Sequence, residues 1–201
     1  MSAPMTLSAA RYCLQPFPPY RFVPGHNPHP TAHPDGHSYR PPGSPEPALQ
    51  WVPPERWRES PEYLFGADLY NHGYWWEAHE TWEGLWQLTD KSGPQGQFLQ
   101  GLIQCGACHL KRHVGHAEGV ARLRRTSRTY LDFVINHSPA PVYMGLDLPQ
   151  FVASFDRYYD EALRDRPAEA GHEPRSYPYI ILDADESADN RDHGSGNGSS
   201  P

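Results

Sequence analysis

From Tyr74 to Thr89 the residues Trp75, Ala78, Trp82, Leu85 and Trp86 recur at spacings of three and four, the period that puts them on one face of an α-helix. A strand cannot use such a stripe, because its faces alternate at every second residue. A stripe this bulky must therefore be covered by other helices. Its flanks carry matching signals. Ser60, Pro61 and Glu62 read as an N-cap, a first-turn proline and an acid that complements the helix dipole, and Gly73 supplies a left-handed stop after a helix ending near His72. Ser92 and Pro94 open a third helix running to about His113. Gly115 separates it from a fourth that carries Val120, Leu123, Tyr130, Leu131 and Val134, and after Pro139 and Pro141 a fifth runs from about Leu148 to Leu163.

Short links between successive helices favour antiparallel neighbours. The expected fold is all-α: a compact bundle of about five helices over residues 60–165, built from two antiparallel αα-hairpins plus a C-terminal helix. The turn at Asn71 to Gly73 resembles that of a tetratricopeptide hairpin, but no repeat of fixed period follows it, which argues against a solenoid. Long β-branched runs are missing, which argues against a sheet. With six Trp and twelve Tyr in 201 residues, aromatic surface must supply much of the burial, and the length suits one domain.

The ends differ in kind. Residues 1–59 form a Pro- and His-rich arm whose prolines, recurring from Pro16 to Pro54, disfavour helix. Its aromatic residues Phe17, Tyr20, Phe22, Tyr39 and Trp51 predict partial docking on the helices. Residues 166–201 turn acidic and then Gly/Ser-rich, a composition expected to stay mostly disordered, with Tyr177 to Leu182 as the part able to dock. No basic segment leads a long apolar run and no stretch is long enough to span a bilayer, so a cytoplasmic location is expected and no membrane partner. The net charge of -7 disfavours nucleic acid. Cys13, Cys105 and Cys108 are expected as free thiols.

The string LYNHGYWWEAHETWEGLW, followed by QFLQGLIQCGACHLKRHVGHAEGVARL, resembles the helical domain-of-unknown-function family numbered 309, found in bacteria and plants. The likeness covers roughly Tyr63 to Leu131 and is carried by Asn71, Gly73, Glu77 to Glu80, Trp82, Glu83, Leu85, Trp86 and Gln100 to Gln104. It implies an all-α fold and no established activity. Family members usually have small apolar residues where this chain has Cys105 and Cys108, so no role of these thiols is inherited.

Four clusters carry chemistry. His79 and Glu83, four residues apart, lie at the edge of the tryptophan face of helix two, where they would line a seam with Gln100 and Gln104 of helix three. An imidazole and a carboxylate there suit a divalent transition metal, with Glu80 in the general-base position of an H-E-x-x-H arrangement, whose second His is here Glu83. The plainer alternative is a buried hydrogen-bonded network of His79, Glu83, Gln100 and Gln104. The arm contributes His26, His29, His33 and His37. Residues three or four apart in an extended chain are roughly 10 Å apart, but the turn at Pro34-Asp35-Gly36 would bring His33 and His37 back toward each other, and an arm folded over helix two would give one or two imidazoles, with His29 and His37 as the candidates, to a metal site shared with His79 and Glu83. Cys105 to His109 spell C-x-x-C-H, the haem-attachment pattern, yet they sit in an amphipathic helix, and haem is disfavoured. Finally Lys111, Arg112, His113, Arg122, Arg124, Arg125 and Arg128 make the segment around helix four locally basic, most simply a solvated face, with binding of phosphate, a nucleotide or RNA as the alternative.

The leading expectation is a helical binding module for a small ligand or protein partner at the seam of helices two and three, using His79, Glu83, Gln100, Gln104, Asn71 and Trp82. The alternative is a metal-dependent enzyme, most plausibly a hydrolase, with His79, Glu83, His29 and His37 as metal ligands and Glu80 as the catalytic base. A structural role in a homo-oligomer is a third.

Overall fold

The capping signals act where the sequence places them. In a computed structural model of the chain, which describes residues 11–45, 48–165 and 177–183, Ser60 Oγ accepts the Tyr63 amide at 3.3 Å, and α1 spans Pro61–Asn71. The chain leaves it through Gly73 at φ 80°, a left-handed conformation that costs a residue without Cβ little. The remaining helices are α2, Trp75–Gln87, α3, Pro94–His113, α4, Ala117–His137, and α5, Leu148–Asp165. Ser92 does not cap α3. Its amide and hydroxyl both turn back to Asp90 Oδ1, at 3.0 and 2.7 Å, so it closes the preceding turn and Pro94 alone marks the start.

α1 packs on α2, α2 on α3, α3 on α4 and α4 on α5. This is the expected all-α bundle of two hairpins and a C-terminal helix. Glycines let helices approach closely. A Cβ on Gly66 would lie 2.2 Å from Trp82 Nε1, and the indole in that space is fully buried and donates to Tyr63 O at 3.3 Å. Gly101 does the same between α3 and α4, where a Cβ would meet Leu131 at 2.5 Å. Arg124 and Arg128 of the basic helix reach across to α5: Arg124 pairs with Asp156 and Asp160 at 3.1 and 2.8 Å, and Arg128 with Asp156 at 2.6 Å. Part of the basic face is thereby neutralised within the fold.

Two elements were not expected. A two-stranded hairpin, β1 (Val142–Tyr143) and β2 (Leu146–Asp147), fills the connection before α5. A 3-10 turn over Pro54–Glu59 puts Trp57 into the core against Gly145 of that hairpin, so the packed unit begins before Ser60.

The arm is docked by two buried carboxylates. Asp68 of α1 accepts the Tyr12 and Cys13 amides at 2.8 and 3.1 Å. Glu77 of α2 accepts the Phe22 amide at 2.8 Å. Aromatic contacts complete the docking, Phe17 lying on Phe65 and Tyr74 and Phe22 on Trp76. The segment 177–183 docks too: Ile180 and Leu182 are buried, and Leu182 bridges to Leu146. The rest of the acidic and Gly/Ser-rich tail, expected to be disordered, lies outside the described residues. Among the described residues no helix is long and apolar enough to cross a membrane.

Adding one methyl at Gly66 tests the α1–α2 contact, because the rigid, enclosed Trp82 ring has nowhere to move. Gly66→Ala should cost about 1–3 kcal/mol in urea unfolding, although alanine favours helix by roughly 1 kcal/mol. A neutral or stabilising result would mean that the two helices do not pack this tightly.

Candidate functional site

Helix α2 presents three faces. Trp75, Ala78, Trp82 and Leu85 enter the core. Trp76, Glu77, Glu80, Thr81 and Gly84 lie beneath the arm. His79, Glu83 and Trp86 face α3. The third face opens on a cleft of ≈370 Å³ whose other walls are Gln100, Ile103, Gln104, Ala107 and Lys111 of α3 and Arg122 and Leu123 of α4. The residues expected at the seam, His79, Glu83, Gln100 and Gln104, are thus brought to one place.

They do not form a buried network there. His79 Nε2 and Glu83 Oε2 are 3.4 Å apart, with side chains 32% and 41% exposed. Gln104 Oε1 accepts from Thr126 Oγ1 of α4 at 2.9 Å, which leaves its amide N–H groups for other partners. Gln100 makes no side-chain hydrogen bond among the described residues. Lys111 and Arg122, read from the sequence as part of a solvated basic face, are lining residues. Among the described residues neither has an ion-pair partner. Lys111 stands two turns along α3 from Gln104, about 10 Å, so the cleft is elongated and carries its cations away from Glu83. The signal for Lys111 was present in the sequence, since positions 100, 104, 107 and 111 share one helix face.

Several other candidates are placed elsewhere. Asn71 is 5% exposed, and both ends of its amide serve Ile180, donating to its carbonyl at 2.7 Å and accepting its amide at 2.8 Å. It pins the C-terminal segment and does not reach the seam. Trp82 is sealed in the core under Gly66. The arm histidines do not join His79. His37 Nε2 lies 3.1 Å from Glu77 Oε1, and Glu77 sits about 160° around α2 from His79, given 100° per residue. His29 packs its ring on Phe22 and Trp76, with centroids 5.0 and 5.3 Å away. The turn at Pro34-Asp35-Gly36 forms, with Gly36 N donating to His33 O at 2.8 Å, but it folds the arm onto the other side of the helix.

Among the described residues the group able to offer three metal donors is His79, Glu80 and Glu83, whose ligand atoms lie within 4.8 Å of one another. Glu80 occupies the rim between the seam and the arm. Desolvation raises its carboxyl pKa, His79 opposes this, and Glu83 and Glu77 add to it. A carboxyl held this way is more easily protonated than a free one.

The C-x-x-C-H stretch is part of the core. His109 is 1% exposed, with Nε2 2.8 Å from Tyr70 Oη and Nδ1 2.9 Å from Tyr159 Oη. Both ring nitrogens are occupied, so no axial ligand is free. Burial, with a smaller push from Arg112, lowers the His109 pKa to about 3, and burial raises Cys108 to about 12 and pushes Cys105 up as well. Neutral imidazole and protonated thiols are packing groups here.

The molecule is thus a helical bundle with an open polar cleft between its second, third and fourth helices. Residues 63–123 match the family described as Domain of unknown function (DUF309). The matched segment contains α2 and α3 entire and every residue that lines the seam cleft. No curated protein matches the chain.

Because His109 takes up a proton in the unfolded chain near its ordinary value of 6.5 and in the folded one only near 3, its contribution to stability is complete above pH 6.5 and lost as pH falls from there toward 3. The slope from this group approaches one proton, ~1.4 kcal/mol per pH unit. Urea unfolding at several pH values in this window should give a shallower dependence for His109→Gln than for the unaltered chain. Equal slopes would sink this assignment.

Proposed function

We propose that the chain is a helical binding module whose cleft between α2, α3 and α4 takes a small polar ligand bearing an anionic group. One observation carries this reading: His79, Glu83, Gln100, Gln104, Lys111 and Arg122 converge on a cleft of ≈370 Å³ with much of their hydrogen-bonding capacity unspent. A carboxylate or phosphate between Lys111 and Arg122 would make charge-assisted contacts, and the glutamine amides and the His79–Glu83 pair would fix the remainder of the molecule. Apolar walls from Ile103, Ala107, Leu123 and Trp86 suit a site in which a few polar groups set orientation. A cytoplasmic location fits a ligand of this kind and is part of the same proposal.

A second reading is favoured by the closeness of His79, Glu80 and Glu83, which suits a divalent transition metal. It supports metal binding better than hydrolysis. If all three residues ligate, no carboxylate remains as general base; if Glu80 serves as base, two protein ligands remain, and the arm histidines that would complete the set are engaged elsewhere. Catalytic zinc sites keep three protein ligands and an open position.

Thermal melting in the presence of small carboxylate- and phosphate-bearing metabolites tests the first reading. At least one compound should raise Tm, and Lys111→Gln/Arg122→Gln should abolish the shift while the ligand-free Tm stays within a few degrees, as for other surface substitutions. No shift with any anionic compound, or a shift that survives in the variant, would overturn it. Elemental analysis of protein purified without added metal addresses the second: under the binding-module reading it finds no near-stoichiometric metal, whereas a transition metal lost in His79→Ala/Glu83→Ala selects the metal site.

A further inference from the structure

Across α2 from the seam, the docked arm encloses a second cleft, of ≈490 Å³, between itself and the outer faces of α1 and α2. Its charge is one-sided. Glu62, Glu77 and Glu80 line it together with His37, and among the described residues no Lys or Arg does. The seam, by contrast, carries Lys111 and Arg122.

Glu77 supplies the observation that points to a ligand. Its side chain is 5% exposed. Oε1 is satisfied by the Phe22 amide and by His37, whereas Oε2 is buried with no hydrogen-bond partner among the described residues. A buried carboxylate oxygen without a donor carries an uncompensated desolvation cost, which a donor from a ligand seated in the cleft removes once the covering arm shifts to admit it. The carboxylates are too dispersed for a bare ion: the close-set metal donors among the described residues are His79, Glu80 and Glu83, and Glu62 and Glu77 do not belong to that group. An elongated cation can span them. The apolar part of the lining, with Phe65 and Trp76, offers a surface to a methylene stem and ring faces to an ammonium group.

We propose that this arm-covered cleft is a binding site for an aliphatic amine with two ammonium groups, held by Glu62, Glu77 and Glu80, and distinct from the anion-binding seam.

Isothermal titration with 1,4-diaminobutane and 1,5-diaminopentane, in about 0.15 M NaCl to screen loose surface association, tests this on the full chain. Saturable binding is expected for the diamines and none for 1,4-butanediol or MgCl2. Glu62→Gln/Glu80→Gln, which leaves the Glu77 anchor of the arm in place, should weaken diamine binding at least tenfold with little change in Tm. Lys111→Gln/Arg122→Gln should leave it unchanged, so the outcome is independent of whether the seam reading holds. Absence of saturable diamine binding, equal binding of the diol or of Mg2+, or an unweakened Glu62→Gln/Glu80→Gln variant would each overturn the proposal.

Discussion

The imidazole of His109 is the point at which the separate parts of this fold are fastened together. It rises from α3 into a cage of rings contributed by Tyr70 of α1, Trp75 of α2, Phe155, Tyr158 and Tyr159 of α5, and Tyr177 of the C-terminal segment. Aromatic surface provides the burial, as a chain rich in Trp and Tyr requires. Flat rings alone, however, can pack in many ways, whereas two hydroxyls on opposite nitrogens of one ring accept few arrangements. Tyr70 and Tyr159 therefore set the register of α1 and α5 on α3. Protonating the ring would place a charge among these rings with no acid beside it, and the imidazole accordingly stays neutral.

With the core fixed in this way, α2 becomes a wall between two polar spaces. Its tryptophan stripe is directed inward, and the residues left over divide to either side. His79 and Glu83 meet the glutamines of α3, while Glu77 and Glu80 meet the arm. The two sides differ in charge because their other walls differ: α3 and α4 bring Lys111 and Arg122, and the arm brings proline, phenylalanine and a single histidine. This difference between the walls is what the two proposed ligands of opposite charge rest on.

Much of this was legible in the residues. The three-and-four spacing of apolar positions, Ser60 before Pro61, and Gly73 and Gly115 after helices located α1 to α4 closely, because each signal is local and its effect is exerted within one turn. The facing of His79, Glu83, Gln100 and Gln104 was legible for the same reason, since two adjacent antiparallel helices of known face must share a seam. Less legible were contacts between distant segments. Nothing near Asn71 says that its amide will be used by Ile180, and nothing near His37 says that Glu77, rather than His79, will receive it. Lys111 shares the helix face of Gln100 and Gln104, but Arg122 reads as a solvated charge until α4 is laid beside α3. The short β hairpin and the burial of Trp57 arise likewise from packing that no periodicity records.

The sequence by itself determined that the chain is helical, which faces are apolar, and where each helix starts and stops, since these follow from backbone propensities, capping and the 3.6-residue period. Only the tertiary structure decided which polar side chains are consumed and which remain available: Asn71 and His109 by fastening the fold, Arg124 and Arg128 by pairing with α5, His79, Glu83, Gln100 and Gln104 by facing an open cleft. The reason is physical. A hydrogen bond or ion pair depends on distances of a few ångströms between residues as far apart in the chain as Asn71 and Ile180, and those distances exist only once the core has packed.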